Sequence, residues 1–475
     1  MGFLLSAGFE ARKSMKAPFD IAGDLDTPVS AYLKLAAFRP CFLLESVEGG
    51  ERLARYSFVG FGDALEVKLD GAGLHVGATL HARPGNAAEL LNQLRAALAA
   101  APRPEPEIAG VPLAGGLVGF ASYDVVRFFE HLPKRVATAD GVPALHYVAP
   151  RSLLVFDHLT RSIALLHAGS ASERASLRLE IIQALRGGLP KPARPGRYQP
   201  PAPSMTRDRY MAAVRRIQEY IAAGDVYQLV LASRFSGRHE LDPFQAYRAL
   251  RLINPSPYMY YCALGDITVV GSSPEALVKL NAGHAQLRPI AGTRSRSDDA
   301  AIDVARETEL RADPKENAEH VMLVDLARND LGRVAAAGSV HVEPYKHIER
   351  YSHVMHMVSG VKGRLAAGKD AFDLFAATFP AGTLVGAPKV RAMQIIDELE
   401  PVGRGLYGGT VGYFGARGDM DQAITIRTLV FHGDEYSFQA GAGIVADSIP
   451  EAEHDEVLAK SGAMVRALAL AEEGL

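Results

Sequence analysis

The chain has 475 residues, 48% hydrophobic and 22% charged, an ordinary balance for a soluble globular protein with length for a sizeable core. Its 51 Lys and Arg against 54 Asp and Glu leave a formal charge of −3, so neither a basic nucleic-acid-binding excess nor an acidic tail is present. The two cysteines, Cys41 and Cys262, show no metal-ligand spacing and point to a reduced, cytoplasmic setting, and no run approaches the roughly 20 apolar residues of a membrane helix.

The opening segment, Met1 to Phe9, is apolar but too short and too poor in leading positive charge for a secretory signal. Met1-Gly2 with Ser6 matches an acyl-acceptor pattern in form only, because bulky Phe3 follows and no polybasic run comes after it. Short apolar runs separated by Gly, Pro and Asp clusters predict strands at Cys41–Glu45, Ser57–Gly60, Leu117–Phe120 and Ser152–Asp157, with a helix over Ala87–Ala101. From Leu189 to Ser204 six prolines and no apolar period mark an extended connector, dividing a β-rich region (1–188) from a second region (205–475).

Beyond the connector, Tyr210, Met211, Val214, Ile217 and Ile221 form one stripe of a helix over Asp208–Ala223, with Gly224 as its C′ residue. Val226–Phe235 reads as a buried strand. Asp313-Pro314 opens a helix with Asp at the N-cap, Pro at N1 and Glu316 at N3 closing a capping box, and Ser448-Ile-Pro-Glu451 is expected to open the last helix in the same way. Strands fit Ile267–Gly271, Gly409–Phe414, Ala423–Phe431 and Tyr436–Gly441. The fold class is α+β: large antiparallel sheets forming a sandwich, with helices packed outside and a small-molecule site between them.

Glu319 heads the stripe of Met322, Leu323 and Leu326, so it faces inward, where an unpaired carboxylate costs on the order of several kcal/mol and needs a cation or a proton. Glu316, one turn earlier, also serves as a cap. Glu453, Asp455 and Glu456 occupy the first turns of the last helix, and Glu456 with Lys460 taken alone is simply an i,i+4 ion pair. Two carboxylates from separate helices, with waters and a substrate oxygen, would nevertheless suit octahedral Mg2+. Gln439-Ala-Gly-Ala-Gly443, Tyr407-Gly-Gly409 and Pro289-Ile-Ala-Gly-Thr293 supply backbone N–H groups for an anion, although tight turns alone explain most glycine pairs. Arg427 interrupts the strand AITIRTLVF, where a guanidinium has a carboxylate or phosphate to grip. Glu275 follows a strand and a Pro-containing turn; His356 lies in the apolar run VMHMV, a common place for a core histidine; Thr383 lies in a loop before a helix over Lys389–Glu400. No nucleophile elbow, Walker loop or dinucleotide fingerprint stands in a suitable context. The residues alone point to a Mg2+-dependent enzyme acting on a small polyanion.

Taken together, these segments resemble the chorismate-utilising enzymes, most closely the anthranilate synthase component I branch. The resemblance runs in order through AGDVYQLVLASRF (223–235), NPSPYMYY (254–261), GSSPEAL (271–277), RPIAGTR (288–294), DPKENAEHVMLVDLARNDLGR (313–333) and VMHMVSG (354–360). It continues through FPAGTLVGAPKVRAMQIID (379–397), YGGTVGYF (407–414), ITIRT (424–428) and AGAGIVADSIPEAEHDEVLAK (440–460), and in the first half through FLLES (42–46), RYSFVG (55–60) and GGLVGFASYDVVR (115–127). It implies Mg2+ on Glu319 and Glu456, with Glu316 in the nearby acidic shell. Arg427, Tyr407, Gly441, Ala442 and Gly443 would grip a substrate carboxylate, with Lys460 near. His356, Thr383, Gly292 and Thr293 would line the ring pocket, and Glu275 would be the acid that protonates the departing C4 hydroxyl.

Two positions discriminate within that family. Relatives that activate water carry a lysine where this chain has Gln228, and aminodeoxychorismate synthase component I, the alternative reading from the 4-aminobenzoate route to folate, usually carries a lysine at Ala291. Both substitutions favour direct attack by ammonia and anthranilate as product, with pyruvate released. The resemblance further implies a tryptophan feedback site on Leu44, Glu45, Ser46, Asn254, Pro255, Tyr258 and Met259, in which Glu45 pairs the ligand ammonium, with the first 188 residues regulatory and subunit-contacting. The lesser alternative is that both segments are inter-domain packing. Neither cysteine lies in a nucleophile elbow, so a separate glutamine amidotransferase subunit is expected to deliver ammonia, and the chain alone to use ammonium salts at raised pH.

Overall fold

The computed structural model describes residues 17–46, 55–133, 141–191, 195–350 and 354–475. The expectations for Met1 to Phe9, and for the part of the connector at 192–194, lie outside them.

Two long strands form the spine of the first half. Leu145–Asp157 is buried at every position but Arg151, the pattern of a strand enclosed on both faces, and it pairs antiparallel with Tyr56–Leu69 across a bulge between Phe61 and Ala64. The expected strands at 57–60 and 152–157 are the ends of these longer ones. First-half strands join second-half strands directly: Pro40–Glu45 pairs with Tyr258–Leu264, and Gly116–Ala121 with Thr410–Gly415. The result is one large curled antiparallel sheet, with a separate three-stranded sheet of Ile290–Ser295, Val354–Val358 and His347–Arg350. The expected α+β class with helices outside is what forms.

Helices close the outer faces as their apolar stripes require. Arg207–Ala222 buries Tyr210, Met211, Val214 and Ile217, and Gly224 follows at φ +82°, the left-handed geometry that a C′ glycine adopts freely. The last helix, Pro450–Glu473, packs on the strand Glu435–Ile444 and against two other helices. Phe372 stacks on Phe414 at 4.5 Å, pinning the helix Ala371–Thr378 to the sheet. Among the described residues no helix is long and apolar enough to cross a membrane.

Three local expectations are corrected. Ala423–Phe431 is not one strand: Met420–Ile424 and Thr428–His432 are separate, and between them Arg427 takes φ +49°. Ser448 does not cap the last helix. The N-cap is Ile449, and the Ser448 hydroxyl instead accepts the Val445 N–H at 3.0 Å. Asp313 caps Pro314–Gly332 through the N–H groups of Lys315 and Glu316, but the Glu316 carboxylate turns to Arg294 at 2.9 Å rather than closing a box. A charge-assisted bond to a guanidinium outcompetes one to a backbone N–H.

Candidate active site

The strand Gln228–Arg238 pairs with Glu435–Ile444 from Leu229↔Ile444 to Arg238↔Glu435, so the glycine-rich stretch is strand, not the turn its composition suggests. Thr428–His432 flanks the same strand only as far as Val430↔Ser437. Beyond Ser437 one edge of Gln439–Gly443 therefore has no strand beside it, and the Gly441 carbonyl there accepts the Lys460 ammonium at 3.1 Å. The missing side chains leave room: a Cβ on Gly441 would stand 2.6 Å from the Tyr407 hydroxyl, and one on Gly443 2.6 Å from Gln228 Nε2.

That open edge is one wall of a cavity of about 440 Å³, within the usual range for small-molecule sites. Ten of the expected site residues line it: Gln228, Glu275, Glu319, Thr383, Tyr407, Arg427, Gly441, Gly443, Glu456 and Lys460. Four carboxyl groups (Glu275, Glu319, Glu453, Glu456) face three cations (Lys315, Arg427, Lys460). Glu275 is pushed up to about 7 by burial, against the opposing pull of a hydrogen bond from Thr383 Oγ1 at 3.0 Å and of the Arg427 charge. A carboxyl in that state is an acid usable near neutral pH. Glu319 accepts a 3.3 Å bond from Gln228 Nε2, and Glu456 pairs with Lys460 at 2.6 Å. Burial, and then the charge of Glu456, raise Glu453.

The remaining expected residues stand outside the cavity lining. Ala442 is fully buried on the opposite face of its strand, as alternation requires of a residue between Gly441 and Gly443. Thr293 Oγ1 bonds His356 Nδ1 at 2.9 Å on the three-stranded sheet, and Gly292 adjoins Glu316 at φ +70°. His356 is held below the ordinary imidazole range, chiefly by burial and further by Arg427. Glu316 is occupied by Arg294. Ala291 is buried, and its neighbour Ile290 is the one that reaches the cavity. Gln439, Lys315 and Glu453 line the site without having been singled out as site residues. For Glu453 the signal was present, since it precedes Glu456 by three positions on one helix face.

A second cavity, of about 350 Å³, lies where the two halves of the chain meet and includes Leu44, Glu45, Ser46, Tyr258 and Met259. Asn254 and Pro255 are not in its lining; the Asn254 side chain bonds Ser272 Oγ at 3.0 Å. Glu45 already has a cation: Arg251 holds both its oxygens at 3.0 and 3.2 Å, and the Tyr247 hydroxyl donates to it as well. Glu45 is therefore not a bare carboxylate awaiting a ligand ammonium.

A family model described as chorismate binding enzyme matches residues 39–466. The chain belongs to this family. Among curated relatives of this chorismate-binding enzyme, anthranilate synthase component 1 of Thermus thermophilus is 46% identical, covering 95% of this chain and 97% of that protein. The protein of the same name from Pseudomonas aeruginosa is 44% identical, covering 96% of each. The crystal structure of anthranilate synthase component I from Streptococcus pneumoniae superposes with a TM-score of 0.78 at 34% identity, over 94% of this chain and 98% of that one.

Proposed function

We propose that this chain converts chorismate and ammonia to anthranilate and pyruvate, as the component I subunit of anthranilate synthase in tryptophan biosynthesis. One observation carries the reading: a carboxyl raised to about 7, aimed by Thr383 and facing Arg427, in the same cavity as acidic side chains from two different helices. The names of relatives similar along nearly the whole chain support it.

The residues suit a Mg2+ ion. Among the described residues no cluster of three or more His, Cys, Asp or Glu is close enough to hold a metal by itself. Mg2+, however, usually takes one or two carboxylates and completes its octahedron with water and substrate oxygens. Glu319 and Glu456 are the carboxylates proposed for that role, with Glu453 beside them; Glu316 is committed to Arg294. Charge balance points the same way. With Glu275 protonated, three carboxylates oppose three cations, so a dicarboxylate substrate enters a site that cannot neutralise it alone. Bound there, the ion would neutralise and orient one substrate carboxylate.

Arg427 and the open N–H edge at Gly441 and Gly443 hold the other carboxylate. Ammonia forms the C–N bond at C2 while the C4–O bond breaks, and Glu275 gives its proton to the departing hydroxyl, which leaves as water. Neutral NH3 is the nucleophile, and Gln228, an amide, cannot activate water as a lysine amine would. The bound aminated intermediate then loses its enolpyruvyl group as pyruvate and aromatises.

A glutamine amidotransferase partner is proposed as the ammonia source, in keeping with the component numbering of the relatives. Feedback by tryptophan is proposed at the second cavity, with Ser46, Tyr258 and Met259 in its wall and the Glu45–Arg251–Tyr247 cluster beneath. The deciding experiment incubates the chain with chorismate, Mg2+ and an ammonium salt, following fluorescence and product mass. Anthranilate and pyruvate are expected; a product that retains the enolpyruvyl group overturns the proposal.

A further inference from the structure

Glu400, the C-cap of the helix Lys389–Leu399, and Arg404, in the loop that follows, form an ion pair at 2.6 Å, both almost wholly buried. Such a pair is weak evidence for stability, because desolvation consumes much of its attraction. What distinguishes this one is where its remaining hydrogen bonds go.

The outer edge of the strand Gln228–Arg238 is covered at its start by Gly386–Ala387 and near its end by Ala202–Pro203, leaving an uncovered stretch between. There the Val230 carbonyl accepts Arg404 Nη2 at 2.9 Å, and the Ala232 N–H donates to Glu400 Oε1 at 2.9 Å. Residues two apart on a strand present their backbone groups to the same side, so the two side chains stand in for an absent strand. Arg404 Nη1 reaches the Leu384 carbonyl at 2.6 Å, next to Thr383. Its guanidinium lies 5.4 Å from the Tyr407 ring centre, its carbonyl accepts the Tyr407 N–H at 3.0 Å, and the same carbonyl accepts Gln439 Nε2 at 2.8 Å. Val230, Leu384, Tyr407 and Gln439 are four walls of the 440 Å³ cavity.

We propose that Arg404 and Glu400 are positioning residues for the reaction: one buried ion pair, touching no substrate, holds the strand of Gln228, the Thr383–Leu384 turn, the Tyr407 loop and the glycine-rich edge in mutual register. Its path to the chemistry is short. Thr383 aims Glu275, and Tyr407 faces the Gly441 edge, so slack at Arg404 is felt at both. The inference rests on the proposed function for its kinetic readout.

The test compares the wild type with Arg404→Lys, which keeps the charge but loses the fork of donors, and with the milder Glu400→Gln, which keeps an acceptor for the Ala232 N–H. Arg127→Lys, at a half-buried pair with Asp124 and Asp397, is the stability control. The expected result is a fall in kcat per folded molecule of about 10- to 100-fold, the scale of a misplacement near 1 Å. The alkaline limb of the pH profile should also move upward as Thr383 slackens its bond to Glu275, while the control melts lower with unchanged kcat. Hydrogen–deuterium exchange should rise together in 228–232, 382–386 and 404–409. Lowered melting temperature with wild-type kcat, pH limb and exchange in both variants overturns the proposal. Absence of anthranilate with the wild-type chain would instead defeat the functional reading, and the exchange pattern would still decide the positioning claim; if Arg404→Lys does not fold, Glu400→Gln carries the test.

Discussion

Thr383 Oγ1 donates to Glu275 Oε1 at 3.0 Å, joining a carboxyl at the end of one strand to a hydroxyl from a turn more than a hundred positions away. Burial drives this acid towards neutrality and the hydroxyl restrains the rise, so the two residues together set the pH at which it can give up a proton.

The sign of that shift fixes how the rate depends on pH. An acid raised from 4.5 to about 7 is protonated below that value and spent above it. The rate expressed per mole of neutral ammonia should fall as pH rises through about 7, even though total ammonium supplies more free base at higher pH. Thr383→Val removes a contribution that lowers the acid, so its limb should move to higher pH. Glu275→Gln should lose at least about 100-fold in kcat. A limb unmoved in Thr383→Val would show that another group controls it.

The carboxylates from two helices can be tested separately. Glu319→Gln and Glu456→Gln should each lose turnover by about 1000-fold or more and bind Mg2+ poorly by calorimetry, with melting temperatures close to the wild type, since both side chains face a cavity. Near-normal turnover in both would remove the two-helix metal site.

Space at the open strand edge is equally exposed to test. Gly441→Ala places a methyl 2.6 Å from the Tyr407 hydroxyl, and the resulting displacement should cost about 100-fold in kcat/KM for chorismate with the fold retained. Steady-state kinetics with both substrates varied would check this. Equal activity would mean that the edge is not in contact with substrate.

For the second cavity, Ser46→Phe fills space beside Tyr258 and Met259. It should abolish inhibition by tryptophan while kcat in its absence stays within about twofold, since the reacting residues line a different cavity. A wild-type rate unaffected by saturating tryptophan would end the feedback reading.

Much of this molecule was readable from its order of residues. Helix stripes such as Tyr210–Ile217, the apolar strand cores and the glycines at Gly441 and Gly443 depend on local periodicity and steric size, which the chain carries in itself. So do the residue types at Gln228 and Ala291, which bear on the attacking group whatever the fold around them. The partner of each charged side chain was not legible, because ion pairs are settled by whichever opposite charge the fold brings within reach. Arg294 took Glu316 from its expected cap, and Arg251 with Tyr247 took Glu45. The break at Arg427 was hidden too: AITIRTLVF alternates well enough to read as a single strand, and only the sheet edges on either side decide where pairing stops. The role of Arg404 and Glu400 belongs wholly to tertiary structure. In the sequence they are only two opposite charges four positions apart, and burial against an unpaired strand edge is what gives their hydrogen bonds something to hold.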